Sequence, residues 1–226
     1  MKQLFINLTE KPHKLFFFGG MVNAIVTMLV LLLHYQGVLY SKITLSSVHA
    51  YTLIFAVFSQ FFFGFLCTMF PRFLATSEIA RERYLPPFLL LNGSVALFTV
   101  SLYWASALTV LASAGMFAAY LMVGWILWQL YQQSSVSERF DVNWILIAVV
   151  AGAVSHLLFL LSFIDPVWVT INRAAIESGF FLYLFMLIIT LSQKMIPFFT
   201  EGKVAGYQAN RSRYFLHTLA GLLLLK

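Results

Sequence analysis

A chain of 226 residues that is 61% apolar, 17% aromatic and only 10% charged cannot cover its own surface in water, because soluble domains carry roughly 25% charged residues. Its mean hydropathy of +0.88 makes lipid its main solvent and predicts one all-α, polytopic helical membrane domain over residues 1–226. The net charge of +6 does not mark a nucleic-acid binder, since the positive side chains sit between apolar runs and form no basic face.

The first run, 15–35, follows Lys11, Pro12, His13 and Lys14. It is too long for a signal-peptide core and no A-x-A site follows it, so it reads as a retained span. Gly19 and Gly20 near its start would permit close helix contact. After a short turn from Gln36 to Leu45, the second span covers 46–70 without a charge. At 1.5 Å per residue it is long enough to cross a bilayer. It carries His49 near its start, and Pro71 is expected to end it. Its Cys67, the only cysteine, excludes an intrachain disulfide framework and reads as an inert buried thiol.

A charged loop is expected from Arg72 to Pro87, then a third span at 88–104 closed by Trp104, and a very short turn at Ala105 and Ser106. The fourth span, 107–131, pairs with the third as a tight hairpin and ends in Trp125, Trp128 and Tyr131, the composition of an interfacial belt. A polar loop leads to the fifth span, 144–163, which holds Gly152 and His156 and is broken by Asp165 and Pro166. The sixth, 174–195, has Glu177 in its expected first turn, and Pro197 should stop it. A partial seventh run, 215–225, reaches only ~17 Å at the helical rise, about half a hydrocarbon core.

Lysines and arginines assign an orientation. Eleven of them fall before span one or after spans two, four and six, against three (Lys42, Arg173 and Lys226) on the other side. The N-terminus is therefore expected in the cytoplasm. That places His34, His49, His156 and Glu177 toward the opposite leaflet, on four different helices. Ionisable groups at membrane depth are costly and mark functional sites. Imidazoles from facing helices can hold haem iron or another metal, with Tyr51, Glu177 or Asn23 accepting a bond from the other ring nitrogen. The plain alternatives stand beside this reading. His34 lies next to Tyr35 and Gln36 and His49 lies near an interface, where solvated histidines need no ligand. Arg173 and Glu177, four apart, suit a simple ion pair. The 24 phenylalanines read as packing or lipid-facing residues. No P-loop, G-x-G-x-x-G, H-E-x-x-H or Ser-His-Asp arrangement occurs. No half-chain repeat of the kind found in secondary transporters is evident either.

Two segments resemble the NnrS family of polytopic membrane proteins. That family typically carries W-H-x-H-E-M-x-F-G in its second span, then G-F-L-x-T-x-x-P. Here Val48 to Ala56 reads V-H-A-Y-T-L-I-F-A, and Gly64, Phe65, Leu66, Cys67, Thr68, Met69, Phe70 and Pro71 follow. The family's G-R-x-I-P-F-F-T is similar to Gln193, Lys194, Met195, Ile196, Pro197, Phe198, Phe199 and Thr200. The opening from Leu15 to Gly19 is more weakly similar to its first span. In the second-span motif His49 is kept, while Tyr51 replaces the second histidine and Thr52 and Leu53 replace Glu-Met. The resemblance implies a protein of the bacterial inner membrane that contains haem and copper, with His49 as a metal ligand and His156 or His34 opposite it. It also implies a role in nitric oxide metabolism or protection from nitrosative stress, with nitric oxide or a respiratory-chain component as partner. Because the family usually has more spans than this, the chain would correspond to its N-terminal part. The competing reading is a cofactor-free permease-like protein or an accessory subunit that helps assemble respiratory oxidases. An enzyme that itself turns over nitric oxide is less favoured, since no complete catalytic constellation is visible.

Overall fold

In the computed structural model, residues 7–41, 43–104, 106–164, 169–201, 203–204, 212 and 214–225 are described, with only the backbone at 106, 169, 198 and 201. Among the described residues, seven helices of at least 10 residues follow one another: α1 (Pro12–Tyr35), α2 (Leu45–Phe73), α3 (Arg81–Ser101), α4 (Ser106–Gln133), α5 (Phe140–Ile164), α6 (Val169–Glu201) and α7 (Phe215–Leu224). Six of them are long and apolar enough to cross a membrane, and α7 is a shorter apolar helix. Among the described residues there is no strand.

Local sequence sets the helix ends. Pro12 opens α1 at the first helical position, where its missing N–H costs nothing and its fixed φ suits the helix. The helix closes on Gly37 at φ +71°: the Val38 N–H reaches the Leu33 carbonyl at 2.9 Å and the Gly37 N–H reaches His34 at 3.0 Å. This is a Schellman cap, which needs a left-handed residue at that position. The end of α2 repeats it with Ala75 at φ +51°, where the Thr76 N–H reaches the Pro71 carbonyl at 2.9 Å.

Three expected breaks move. Pro71 does not end α2, which runs on to Phe73. Pro86 and Pro87 lie inside α3 and not in the preceding loop, since that helix begins at Arg81. Pro197 lies inside α6, which continues to Glu201. Each proline removes one backbone donor, but the residues beyond it still reach back four positions, so the last or first turns survive. The starts of α5 and α6 likewise come four and five residues before 144 and 174. Asp165 and Pro166, expected to break α5, lie outside the described residues, as do Lys42, Ala105, Arg211, Arg213 and Lys226.

α2 is the central helix: 61% of its most apolar stretch is buried, against 33% for α1. Glycines let its neighbours approach, as small residues do between helices in lipid. A Cβ on Gly64 would stand 3.0 Å from Phe16 and Phe17 of α1, and one on Gly19 would run into Gln60 of α2. Within α2 the segment Thr52–Phe58 is π-helical, and in α6 so is Ser178–Phe185. The Ser59 N–H bonds the Ile54 carbonyl and the Met186 N–H bonds Phe181, each five residues back. An α-helix drifts by about 40° every four residues. The slower winding of the π segment keeps Tyr51, Phe55, Ser59 and Phe63 all buried. The two wide segments face each other, with the Phe55 and Tyr183 rings stacked at 6.2 Å and 9°.

Candidate functional site

Where the two π segments meet α4 and α5, polar side chains gather inside an aromatic shell. Isolated π turns recur at functional sites. Tyr51 of α2 points into the bundle, and its phenol oxygen lies 2.8 Å from His156 Nε2 of α5. The same oxygen lies 2.7 Å from Ser113 Oγ and 3.6 Å from Met116 Sδ, both on α4. Tyr51 and His156 are fully buried. The Phe55 ring lies 4.1 Å from the imidazole and the Phe117 ring 5.2 Å from it. Phe98, Phe159 and Phe163 surround the phenol at 4.9–5.1 Å. His156 Nδ1 is buried without a hydrogen-bond partner.

Two further polar groups flank this pair. The Tyr183 phenol lies 2.9 Å from Ser59 Oγ, and the Tyr120 O–H donates to the Val149 carbonyl at 2.8 Å. Gly152 makes room for both rings, because a Cβ there would meet the Tyr120 hydroxyl and the Tyr183 ring. Nearer α1, the Asn23 amide donates to Asn92 Oδ1 at 3.0 Å and to the Ala56 carbonyl at 3.3 Å, and Gln60 donates to the same carbonyl at 2.9 Å. Each buried polar atom so paired avoids the cost of an unmet group in hydrocarbon.

Of the expected imidazoles only His156 lies in this buried core. His49 is exposed, and the reason is angular: two residues along an α-helix turn by about 200°, so a chain that buries Tyr51 turns His49 away. His34 is half-buried at the end of α1, with Nδ1 3.0 Å from the Val30 carbonyl and its ring 5.5 Å from Tyr103. Its Nε2 is buried without a partner. Glu177 meets no histidine; it accepts from Arg173 Nε at 2.9 Å, the simple ion pair anticipated from their spacing. Asn23 serves the amide group and no imidazole. His13 contacts Thr68 of the G-F-L-x-T-x-x-P stretch at 3.2 Å, and His217 packs beside Phe140 and Trp144. Of the other motif residues, Gly64 and Pro71 are buried while Phe65 is half-buried. Ile196 and Phe199 face outward, Pro197 is half-buried, and Thr200 bonds back to the Ile196 carbonyl at 2.9 Å. The Phe198 side chain lies outside the described residues.

Tyr183, Tyr120, Ser113 and Met116 were not anticipated from the sequence. The available signal was position: belt tyrosines sit near span ends, whereas Tyr120 and Tyr183 fall in mid-span, as do Ser59 and Gln60.

Charge outside the spans fastens one end of the bundle. Lys11 Nζ lies 2.8 Å from Glu78 Oε2 and Lys14 Nζ 2.7 Å from Glu10 Oε2. Each lysine, by its hydrogen bond and charge, holds its partner's carboxyl below the usual value. Among the described residues no three His, Cys, Asp or Glu side chains gather as a metal site. The family model described as NnrS protein matches residues 7–226, while no curated protein and no solved structure matches.

Proposed function

The chain belongs to the NnrS family, and from that premise we propose that it is a haem-carrying, multi-pass protein of the bacterial inner membrane that serves the response to nitric oxide. Six helices fit to cross a bilayer support the membrane part. The observation that carries the haem part is the state of His34. Its Nδ1 lies 3.0 Å from the Val30 carbonyl, so Nδ1 carries the proton and donates. Nε2 is left with a lone pair and no partner. A ring oriented by an N–H donated to a backbone carbonyl is the usual arrangement of a metal-ligating histidine. Tyr103 lies alongside the imidazole at an angle of 30° and limits its rotation. His49 opens α2 after the turn that ends α1, and its exposure leaves it free to reach a group held there.

His156 does not suit haem. Its Nε2 is hydrogen-bonded to Tyr51 at 2.8 Å, and iron cannot stand between groups that touch in this way. The ring is walled in by Phe55 and Phe117. Nor does a copper site fit well, given the absence of a ligand trio among the described residues. Haem iron, when bound, supplies a coordination position for a diatomic gas. The chain's own part is to hold the imidazole, exclude water and let an apolar gas arrive from lipid.

Absorption spectra of detergent-extracted protein test this. The wild type should show a Soret band that His34→Ala lowers by at least ~10-fold, the loss typical of a disrupted ligand set. His49→Ala should shift the band, and His156→Phe should leave it in place. Colourless, metal-free wild-type protein would overturn the haem reading and favour a cofactor-free permease-like or oxidase-assembly role.

A further inference from the structure

The Tyr51–His156 pair is not among the groups proposed to hold haem, and both of its side chains are fully buried. We propose that it is a site of one-electron oxidation, at which Tyr51 gives an electron to a small radical dissolved in the lipid while its phenolic proton passes to His156. The inference stands apart from the haem reading and needs no iron.

Three buried phenols share this core, and only one faces a base. The Tyr120 O–H is spent on the Val149 carbonyl, and Tyr183 meets the Ser59 hydroxyl; neither partner can take a proton at ordinary acidity. Tyr51 meets an imidazole nitrogen at 2.8 Å. A phenol that loses an electron becomes a strong acid, and in a dry site it can complete the loss only where a base already touches it. With the His156 proton on Nδ1, the ring offers its Nε2 lone pair to the Tyr51 O–H, while Ser113 donates to the Tyr51 oxygen at 2.7 Å. Phe98, Phe159 and Phe163 shield the resulting radical from water.

The oxidant has a way in. A groove of about 910 Å³ opens toward lipid between α4 and α5, lined by Trp125, Trp128, Ile147 and Val150, with Tyr120 as its buried wall. The Tyr120 ring lies 6.1 Å from Phe55, and Phe55 lies 5.5 Å from Tyr51. A radical in the groove is thus two ring contacts from the phenol. The apolar lining selects a small, uncharged oxidant that dissolves in hydrocarbon, and nitrogen dioxide is of that class. The step balances: nitrogen dioxide takes one electron and leaves as nitrite, Tyr51 becomes a neutral phenoxyl radical, and His156 becomes imidazolium.

The test is electron paramagnetic resonance on full-length protein in phosphatidylcholine vesicles, freeze-quenched after a pulse of nitrogen dioxide. The wild type should give a tyrosyl signal that Tyr51→Phe abolishes and that Tyr120→Phe and Tyr183→Phe retain. His156→Gln keeps a hydrogen bond but no base, and should cut the yield by on the order of 10²-fold, the lower range for a positioned base. Free imidazole should restore signal to His156→Gly, a rescue that a merely structural histidine would not show. A full signal in Tyr51→Phe, or a wild-type yield in His156→Gln, overturns the proposal. The signal is expected whether or not the preparation shows a Soret band, so the two readings fail separately.

Discussion

At the scale of residues, a single angle decides which side chain works where. His49 was the most conspicuous group in the sequence, an imidazole near one end of an uncharged span. Two positions on, Tyr51 stood where the family motif has its second histidine and was one of three candidate partners for an imidazole nitrogen. The fold reverses their standing, because helical rotation buries one and exposes the other. The sequence could place His156 at depth, but its partner depended on how α2 is turned about its own axis, which no spacing within one helix reveals. Stability measurements separate the two residues. Tyr51→Phe keeps the ring but strips His156 and Ser113 of a shared partner, and should cost about 1 kcal/mol, within the range for interhelical hydrogen bonds in membranes. His49→Ala should leave the thermal midpoint in detergent unchanged. An equal effect of both would contradict the assigned rotation of α2.

Helices were legible wherever apolar runs were long, and their ends were misread at Pro71 and Pro197, taken as stops, and at Pro86 and Pro87, taken as loop. Pro71, Pro86, Pro87 and Pro197 all lie within helices, since losing one bond near a terminus costs less than unwinding a turn in lipid. The π segments left no mark in the sequence, because they depend on carbonyls recruited by neighbours, as Ser59 Oγ binds Ile54 at 2.7 Å. The element ends also carry a pH response. Glu78, held by Lys11, fastens the loop after α2 to the start of α1, and its carboxyl titrates below the usual 4.5. A depressed folded-state value means the clasp is in force above the unfolded-state value and is lost as pH falls through the folded one. Hydrogen exchange in residues 74–80 should therefore be slower in the wild type than in Glu78→Gln near neutral pH. The two should become alike once the solution is well below pH 4.5. A difference that persisted there would show that the loop is fastened by something else.

For the molecule as a whole, composition alone predicted a lipid-embedded helical bundle, and six helices fit to cross a membrane are present. The NnrS resemblance read from Gly64–Pro71 and Ile196–Thr200 is borne out by a family match over residues 7–226. The candidate site was legible only as an inventory of polar groups at depth. Which of them meet is settled by α2 at the centre of the bundle and by glycines such as Gly64 and Gly152 that allow close approach. Tyr51 and His156 hold the buried polar core, and haem is proposed at His34. The most direct test of haem at His34 is the amount of haem per polypeptide, by pyridine haemochrome assay, in wild-type and His34→Ala protein extracted from the same membranes. Haem should be bound in stoichiometric amount by the wild type and be nearly absent from the variant; equal haem in both, or none in either, would contradict binding at His34.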